Sequence, residues 1–152
     1  TVDAGAAAGS PYSVTVTVTD SAAQPAQTAF QWTINAPTTV PTIESLTLIN
    51  AATDTDIGPL PTTIDLSATP QINIRANVAG NVGSVVFLAT GSPARAENEA
   101  PYALAGDNQG DYLVWPVTPG TYTITAVPYS GPNGTGTQGT AFVATVTVIS
   151  GP

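Results

Sequence analysis

Residues 12–20 read YSVTVTVTD, and residues 28–35 read TAFQWTIN. In the first stretch Val14, Val16 and Val18 alternate with Thr15, Thr17 and Thr19; in the second, Phe30, Trp32 and Ile34 take every other position. Successive side chains of a strand point to opposite faces, so each stretch predicts a β-strand with one apolar face. The polar segment 21–27, with Pro25, predicts the loop that joins them into a hairpin. An isolated hairpin is at best marginally stable in water. Its apolar face therefore needs a partner, and Val14, Val16, Val18, Phe30, Trp32 and Ile34 are the expected inter-subunit contacts. Three partners fit: the other strands of an incomplete unit to which the hairpin belongs, a neighbouring subunit completed by β-strand addition, or the rest of this chain.

Working outward, residues 37–42 read PTTVPT, and Pro37 and Pro41 stiffen the segment and block strand continuation. The expected organisation is a hairpin over 1–36, a linker over 37–42 and a domain over 43–152. Beyond the linker, strand signals recur between turn signals. They cover Ile43–Asn50, Ile64–Ser67, Ile72–Asn77, Val82–Ala89, a short edge strand Arg95–Glu99, Pro101–Ala105, Tyr112–Trp115, Tyr122–Val127 and Phe142–Ile149. Residues 51–61, 106–111 and 129–140 are expected to be loops. Seven or eight strands at this spacing predict one all-β sandwich. The apolar residues are mostly Val, Ile and Ala, and 14 Gly and 14 Pro interrupt the chain too often for long helices.

Composition narrows the function classes. Arg75 and Arg95 are the only basic residues, and the net charge is −8. Nucleic-acid binding needs clustered Lys and Arg to displace counterions from phosphates, so nucleic acid is excluded as a partner, and anionic membrane surfaces with it. No apolar run approaches the ~20 residues of a membrane helix, which excludes insertion by that route. Cys, His and Met are absent. That removes zinc sites, disulfides and the usual nucleophile–base triads. The lack of Lys removes Ser–Lys dyads and Lys–Asn isopeptide crosslinks. A Lys-free exterior rich in Thr, Ser, Asn and Gly suits a secreted or cell-surface protein that resists oxidation and trypsin-like cleavage. The sequence begins at Thr1 with no signal peptide, which reads as a mature or excised fragment.

The run Val85-Val-Phe87, then Ala100-Pro-Tyr102, Gly110-Asp-Tyr112, Trp115 and Gly120-Thr-Tyr-Thr-Ile-Thr-Ala126 resembles bacterial immunoglobulin-like modules of secreted multidomain proteins. Leu46-Thr-Leu-Ile-Asn50 with Asp54 and Asp56 fits the same group, and the resemblance covers roughly 43–150. Such modules sit beside sugar-binding and glycoside-hydrolase domains and in surface adhesins. Separately, YSVTVTVTDS with TAFQWTI resembles the last two strands of cadherin-like repeats, whose upstream strands the sequence does not contain. The resemblance implies an immunoglobulin-like Greek-key β-sandwich preceded by a hairpin from an incomplete second immunoglobulin-like unit. It also implies neighbouring modules, or copies of the chain, as partners. Fold does not fix function.

Few chemical constellations remain. Asp54, Asp56, Asp107 and Asp111 offer the oxygens a calcium loop would use, although 107–111 lacks EF-hand spacing and Asp, Asn and Gly also make plain turns. Calcium is the only cofactor the sequence suggests. Glu97 and Glu99 share one strand face; a carboxylate pair serves glycoside hydrolysis, but a charged edge strand explains it without catalysis. No catalytic residues are assigned. Tyr102, Tyr112, Trp115, Tyr122 and Tyr129 could form a glycan-stacking platform only if two or three rings were exposed and coplanar. The competing expectation puts Trp115 in the core and makes Tyr122 a tyrosine corner. Asn133-Gly-Thr135 is a glycosylation sequon and, first of all, a turn.

Overall fold

The valine–threonine alternation pairs along its whole length with the aromatic stretch that follows it. In the computed structural model, which describes residues 10–34 and 39–151, β1 (Tyr12–Thr19) and β2 (Pro25–Trp32) form an antiparallel hairpin. The register sets Tyr12 opposite Trp32, Val14 opposite Phe30, Val16 opposite Thr28 and Val18 opposite Ala26. Directly opposed residues share a face, so the valines and the aromatic rings form one apolar surface. The turn is fixed by Asp20, whose Oδ1 accepts from the N–H groups of Ala22 and Gln24, each at 2.9 Å.

Two boundaries differ from expectation. β2 begins at Pro25, inside the expected loop, because proline is tolerated as the first residue of a strand. It ends at Trp32, so Ile34 falls outside the strand. Pro11 has no N–H to offer Thr33 across the ladder, and the Ile34 N–H donates instead to Ser10 Oγ at 2.8 Å. Residues 1–9 and 35–38, including Pro37 of the expected linker, lie outside the described residues. The chain divides into two units, Thr1–Thr38 and Thr39–Pro152. Pro41 is fully buried and Thr42 already opens a strand.

In the second unit, β3 (Thr42–Asn50), β4 (Thr55–Pro59), β6 (Ile72–Ala79) and β9 (Tyr102–Ala103) form one sheet in the order β4–β3–β6–β9. The other holds β5 (Thr63–Asp65), β7 (Ser84–Ala89), β8 (Arg95–Glu97), β12 (Gly120–Tyr129) and β13 (Phe142–Ile149), in the order β5–β13–β12–β7–β8. Among the described strands only β5 and β13 pair in parallel. A two-residue ribbon, β10 (Asp107–Asn108) with β11 (Asp111–Tyr112), connects the layers. The chain changes sheet between β4 and β5, between β5 and β6, between β6 and β7, between β8 and β9, and from β9 through the ribbon to β12. This is an all-β, immunoglobulin-like Greek-key sandwich.

The period-2 pattern explains the core. Leu46, Leu48, Ile72, Ile74 and Ala76 of one sheet meet Val85, Phe87, Ile124, Ala126, Val146 and Val148 of the other, with Trp115 and Tyr102 filling the ends. Each fully buried aliphatic or Phe side chain contributes roughly 1.5–3 kcal/mol over an exposed one. Trp115 packs edge-on against Tyr122 at 5.2 Å between ring centroids. The Tyr122 hydroxyl donates to the Thr118 carbonyl at 2.8 Å. That is the tyrosine corner the sequence suggested.

A second, smaller core lies on the outer face of the β3–β6 sheet. Ile49, Ala51, Ala103 and Tyr112 cluster there. The segment 104–115 folds over that face, tied to β6 by Leu104 N–H donating to Ile74 O and Trp115 N–H donating to Ile72 O, each at 2.8 Å. For this reason Tyr112–Trp115 is not the continuous strand expected: regular pairing stops at Tyr112. The expected loop 51–61 also contains a strand, β4, which pairs with β3 through a register shift between Leu48 and Ile49. Gly58, at φ 152°, supplies the irregular backbone.

Candidate functional site

The hairpin presents an exposed apolar face. Val18 is 64% exposed, Phe30 and Trp32 are each 52% exposed, and Val16 is 43% exposed. Val14 is half-buried, and Ile34, beyond the strand end, is half-buried as well. Five of the six expected contact residues therefore sit on one face of one ribbon. Between Ser10 and Ile34 the only charged residue is Asp20, at the turn.

The sandwich treats its sheet edges unequally. β8 is an edge carrying Arg95 and Glu97, which pair with each other, and Glu99 follows it. The opposite sheet ends in β4, which carries Asp56, the Gly58 irregularity and Pro59. Charges, prolines and bulges of this kind block pairing with another chain. The β13 edge is different. β5 covers only Thr147–Ile149, and among the described residues no strand covers Phe142–Val146 on that side. Thr147 N–H points outward, to the Thr62 carbonyl at 2.8 Å. By alternation the backbone groups of Val143 and Thr145 point the same way. A groove of about 390 Å³ runs beside this edge, lined by Leu46, Leu60, Pro61, Phe142, Val143 and Val146 among others.

The carboxylates suggested for calcium are engaged separately. Asp56 makes a two-pronged ion pair with Arg75, at 2.9 and 2.7 Å. That hydrogen bond raises the Arg75 pKa further above its ordinary value. Asp54 Oδ1 accepts from the Tyr112 N–H at 2.8 Å, and Asp107 Oδ2 accepts from the Gly110 N–H at 2.7 Å. Asp111 is exposed in β11. Among the described residues no group of three acidic side chains could hold a metal ion. Asp65, which the sequence reading did not single out, has its pKa lowered by the Ser67 hydroxyl, with help from the backbone N–H groups of Ser67 and Gly151.

The sandwich aromatics do not form a platform. Trp115, Tyr102 and Tyr112 are buried. Tyr122 lies half-buried against Trp115, and Tyr129 donates to Gln138. These placements count against glycan stacking on the sandwich. The largest gap in the sequence reading is Asn73. It is fully buried, and it clamps the covering segment by donating to the carbonyls of Gly106 at 2.9 Å and Leu113 at 2.7 Å. An Asn between Ile72 and Ile74, on the strand face opposite theirs, was the available signal.

No protein-family model matches this chain, and no curated protein does either. Among solved structures, the fibronectin(III)-like modules of CbhA from Clostridium thermocellum are similar, with a TM-score of 0.45 and 14% identity. The match covers 92% of this chain and 64% of that one, so this chain spans less than two thirds of its length. No helix among the described residues is long and apolar enough to cross a membrane.

Proposed function

We propose that this protein is a non-catalytic, extracellular structural and interaction module, a segment of a surface filament or adhesin, and that its N-terminal hairpin is the connector to the next unit. The observation that carries the reading is the hairpin face: Val16, Val18, Phe30 and Trp32 are all exposed on one side of a two-stranded ribbon. Monomers rarely leave such a face unused, and strand addition to a neighbouring unit would cover its apolar side chains. The sandwich itself supplies shape. Its core is closed, and its exposed β12 and β13 positions are largely Thr. Its scarcity of basic residues suits a long-lived exterior polymer.

Assembly state is the test. Light scattering over a concentration series, followed by electron microscopy, should show particles that grow with concentration. A chain that stays monomeric at every concentration would sink the connector reading. Glycan and calcium binding would then become the next assays.

A further inference from the structure

The turn between β12 and β13 carries the one Asn-Gly pair of the sequence, Asn133-Gly134. Asn-Gly is the dipeptide most prone to lose its side-chain amide. Glycine has no side chain to hinder its own nitrogen, so the Gly134 nitrogen can attack the side-chain carbonyl carbon of Asn133. The fold leaves little choice of residue at either position. Asn133 sits at φ 54° and Gly134 at φ 70°, in the left-handed region that Asn and Gly tolerate and most residues avoid. A Cβ at position 134 would also stand 3.1 Å from Val86 Cγ2.

The folded turn opposes that attack. Asn98 and Asn133 form a reciprocal clasp: the Asn133 N–H donates to Asn98 Oδ1 at 2.6 Å, and Asn98 Nδ2 donates to Asn133 Oδ1 at 2.9 Å. The Gly134 N–H donates to Ser84 Oγ at 3.0 Å, and Ser84 is fully buried. The backbone also points the wrong way. Ring closure needs the Gly134 nitrogen on the same side of the Cα–C bond as the Asn133 Cβ, and at ψ 38° it lies nearly opposite. The turn must open and rotate before the ring can form. Asn98 follows β8 and is thirty-five positions away in sequence, so the clasp exists only in the folded domain.

We propose that Asn133 is a latent modification site, deamidated through Gly134 when this turn opens, and that Asn98 is the guard that keeps the turn closed. In the first step the Gly134 nitrogen bonds to Asn133 Cγ, and the side-chain nitrogen leaves as ammonia with the proton that Gly134 gives up. Water then opens the five-membered imide at either carbonyl. One product is aspartate. The other is isoaspartate, which routes the main chain through the β-carbon. Water is the only co-reactant. Either product adds one negative charge. Isoaspartate also lengthens the backbone inside a turn closed by Gly131 N–H on Thr135 O and Ser130 N–H on Thr137 O, each at 2.9 Å, so it disrupts that pairing. The guard works in a monomer and in an assembly alike.

The experiment incubates the full chain at mildly alkaline pH, folded and in urea, and follows the peptide carrying residue 133 by mass spectrometry. The folded wild type should lose the Asn133 amide at least about tenfold more slowly than the unfolded chain, because only the open turn reacts. Asn98→Ala deletes both hydrogen bonds of the clasp and should raise the folded rate roughly tenfold, with the other asparagines unchanged. Asn98 is exposed, and a circular dichroism melt checks that the variant folds. A folded wild type that deamidates as fast as the unfolded chain overturns the proposal. A folded Asn98→Ala protein no faster than wild type removes Asn98 as the guard. A rise shared by the other asparagines overturns local opening, since the whole domain is then unfolding. Should Asn98→Ala fail to fold, hydrogen exchange on the wild type decides: slow exchange of the Asn133 and Gly134 N–H groups supports the guard, and exchange at the rate of an unstructured peptide overturns it.

Discussion

Replacing Asn73 by Ala should cost the sandwich a large part of its stability. The Asn73 side chain is fully buried. Its Nδ2 donates to the Gly106 and Leu113 carbonyls, and its Oδ1 accepts from the Ala105 N–H at 3.0 Å and from the Ile74 N–H at 2.7 Å. Alanine leaves the Leu113 carbonyl and at least one N–H without their partner beneath the covering segment, while the Gly106 carbonyl keeps the Leu113 N–H at 3.0 Å. An unsatisfied buried group costs about 1–3 kcal/mol. Water entering the vacated space offsets part of that, so a loss of roughly 3–5 kcal/mol is expected. Domains of this size are stable by about 5–15 kcal/mol. At roughly 4 °C per kcal/mol, the melting temperature should fall by about 12–20 °C. Asn73→Asp keeps the acceptors but loses both donors, and it buries a carboxylate against two carbonyls. Its carboxyl pKa is therefore raised in the folded state, so the variant is most stable below about pH 4 and weakens as pH rises. Urea unfolding followed by circular dichroism measures both effects. An Asn73→Ala protein within about 1 kcal/mol of wild type would refute the idea that this side chain holds 104–115 onto the sheet.

Four further outcomes follow from the same structure. Tyr122→Phe removes the hydroxyl that donates to Thr118 O and should cost about 1 kcal/mol in urea unfolding; no change would mean the corner is packing alone. A Cβ at Gly139 would collide with the backbone carbonyl of buried Pro41, so Gly139→Ala should destabilise by about 1–3 kcal/mol, and a neutral result would mean the start of β3 is free to shift. Asp65, whose pKa is lowered by its bonds to Ser67 and Gly151, contributes stability that is present above the ordinary carboxylate pKa and lost as pH falls through its lowered one; Asp65→Asn should flatten that acid limb of the melting curve, and two parallel limbs would contradict it. Because Asp54, Asp56 and Asp107 already have partners, millimolar calcium should leave the melting temperature unchanged, and a rise of several degrees would restore calcium as a ligand.

Much of the fold was legible because its strands alternate cleanly. Val14–Val18 and Ile124–Ala126 bury or present every second residue, and a one-residue slip would reverse the face. Tyr122 was legible for a local reason, since its partner Thr118 is four residues away. What sequence could not show depends on distant pairing. β4 looked like a loop because Asp56 and Gly58 are turn residues, and only pairing with β3, where Asp56 sits opposite Ile49, makes it a strand, with Arg75, nineteen positions away, holding the Asp56 carboxylate. Ile49 looked like the wrong face of its strand until Ala103 and Tyr112 came to cover it. The aspartates suggested for calcium are engaged separately for the same reason: Asp54 accepts from Tyr112, Asp56 pairs with Arg75 and Asp107 accepts from Gly110. Ile34 continued the alternation on paper, but Pro11 across the ladder ended the pairing first.

The distribution of charge connects these observations. Of the ten acidic residues, Asp54 and Asp56 lie at the β4 edge, Glu97 and Glu99 at the β8 edge, and Asp107 and Asp111 on the β10–β11 ribbon. β1, β2, β12 and β13 carry none. A chain selected only for solubility could spread its charges over any exposed position, since one side of the surface is as wet as another. Here exposed strand positions that could hold Lys or Glu hold Thr and Val instead. Surface charges more than about 8 Å apart are largely screened at physiological ionic strength, so the acidic edges do little to shield the uncharged ones. The sandwich thus concentrates charge at two of its sheet edges, whereas the Phe142–Val146 part of β13, which no strand covers on its outer side among the described residues, carries none.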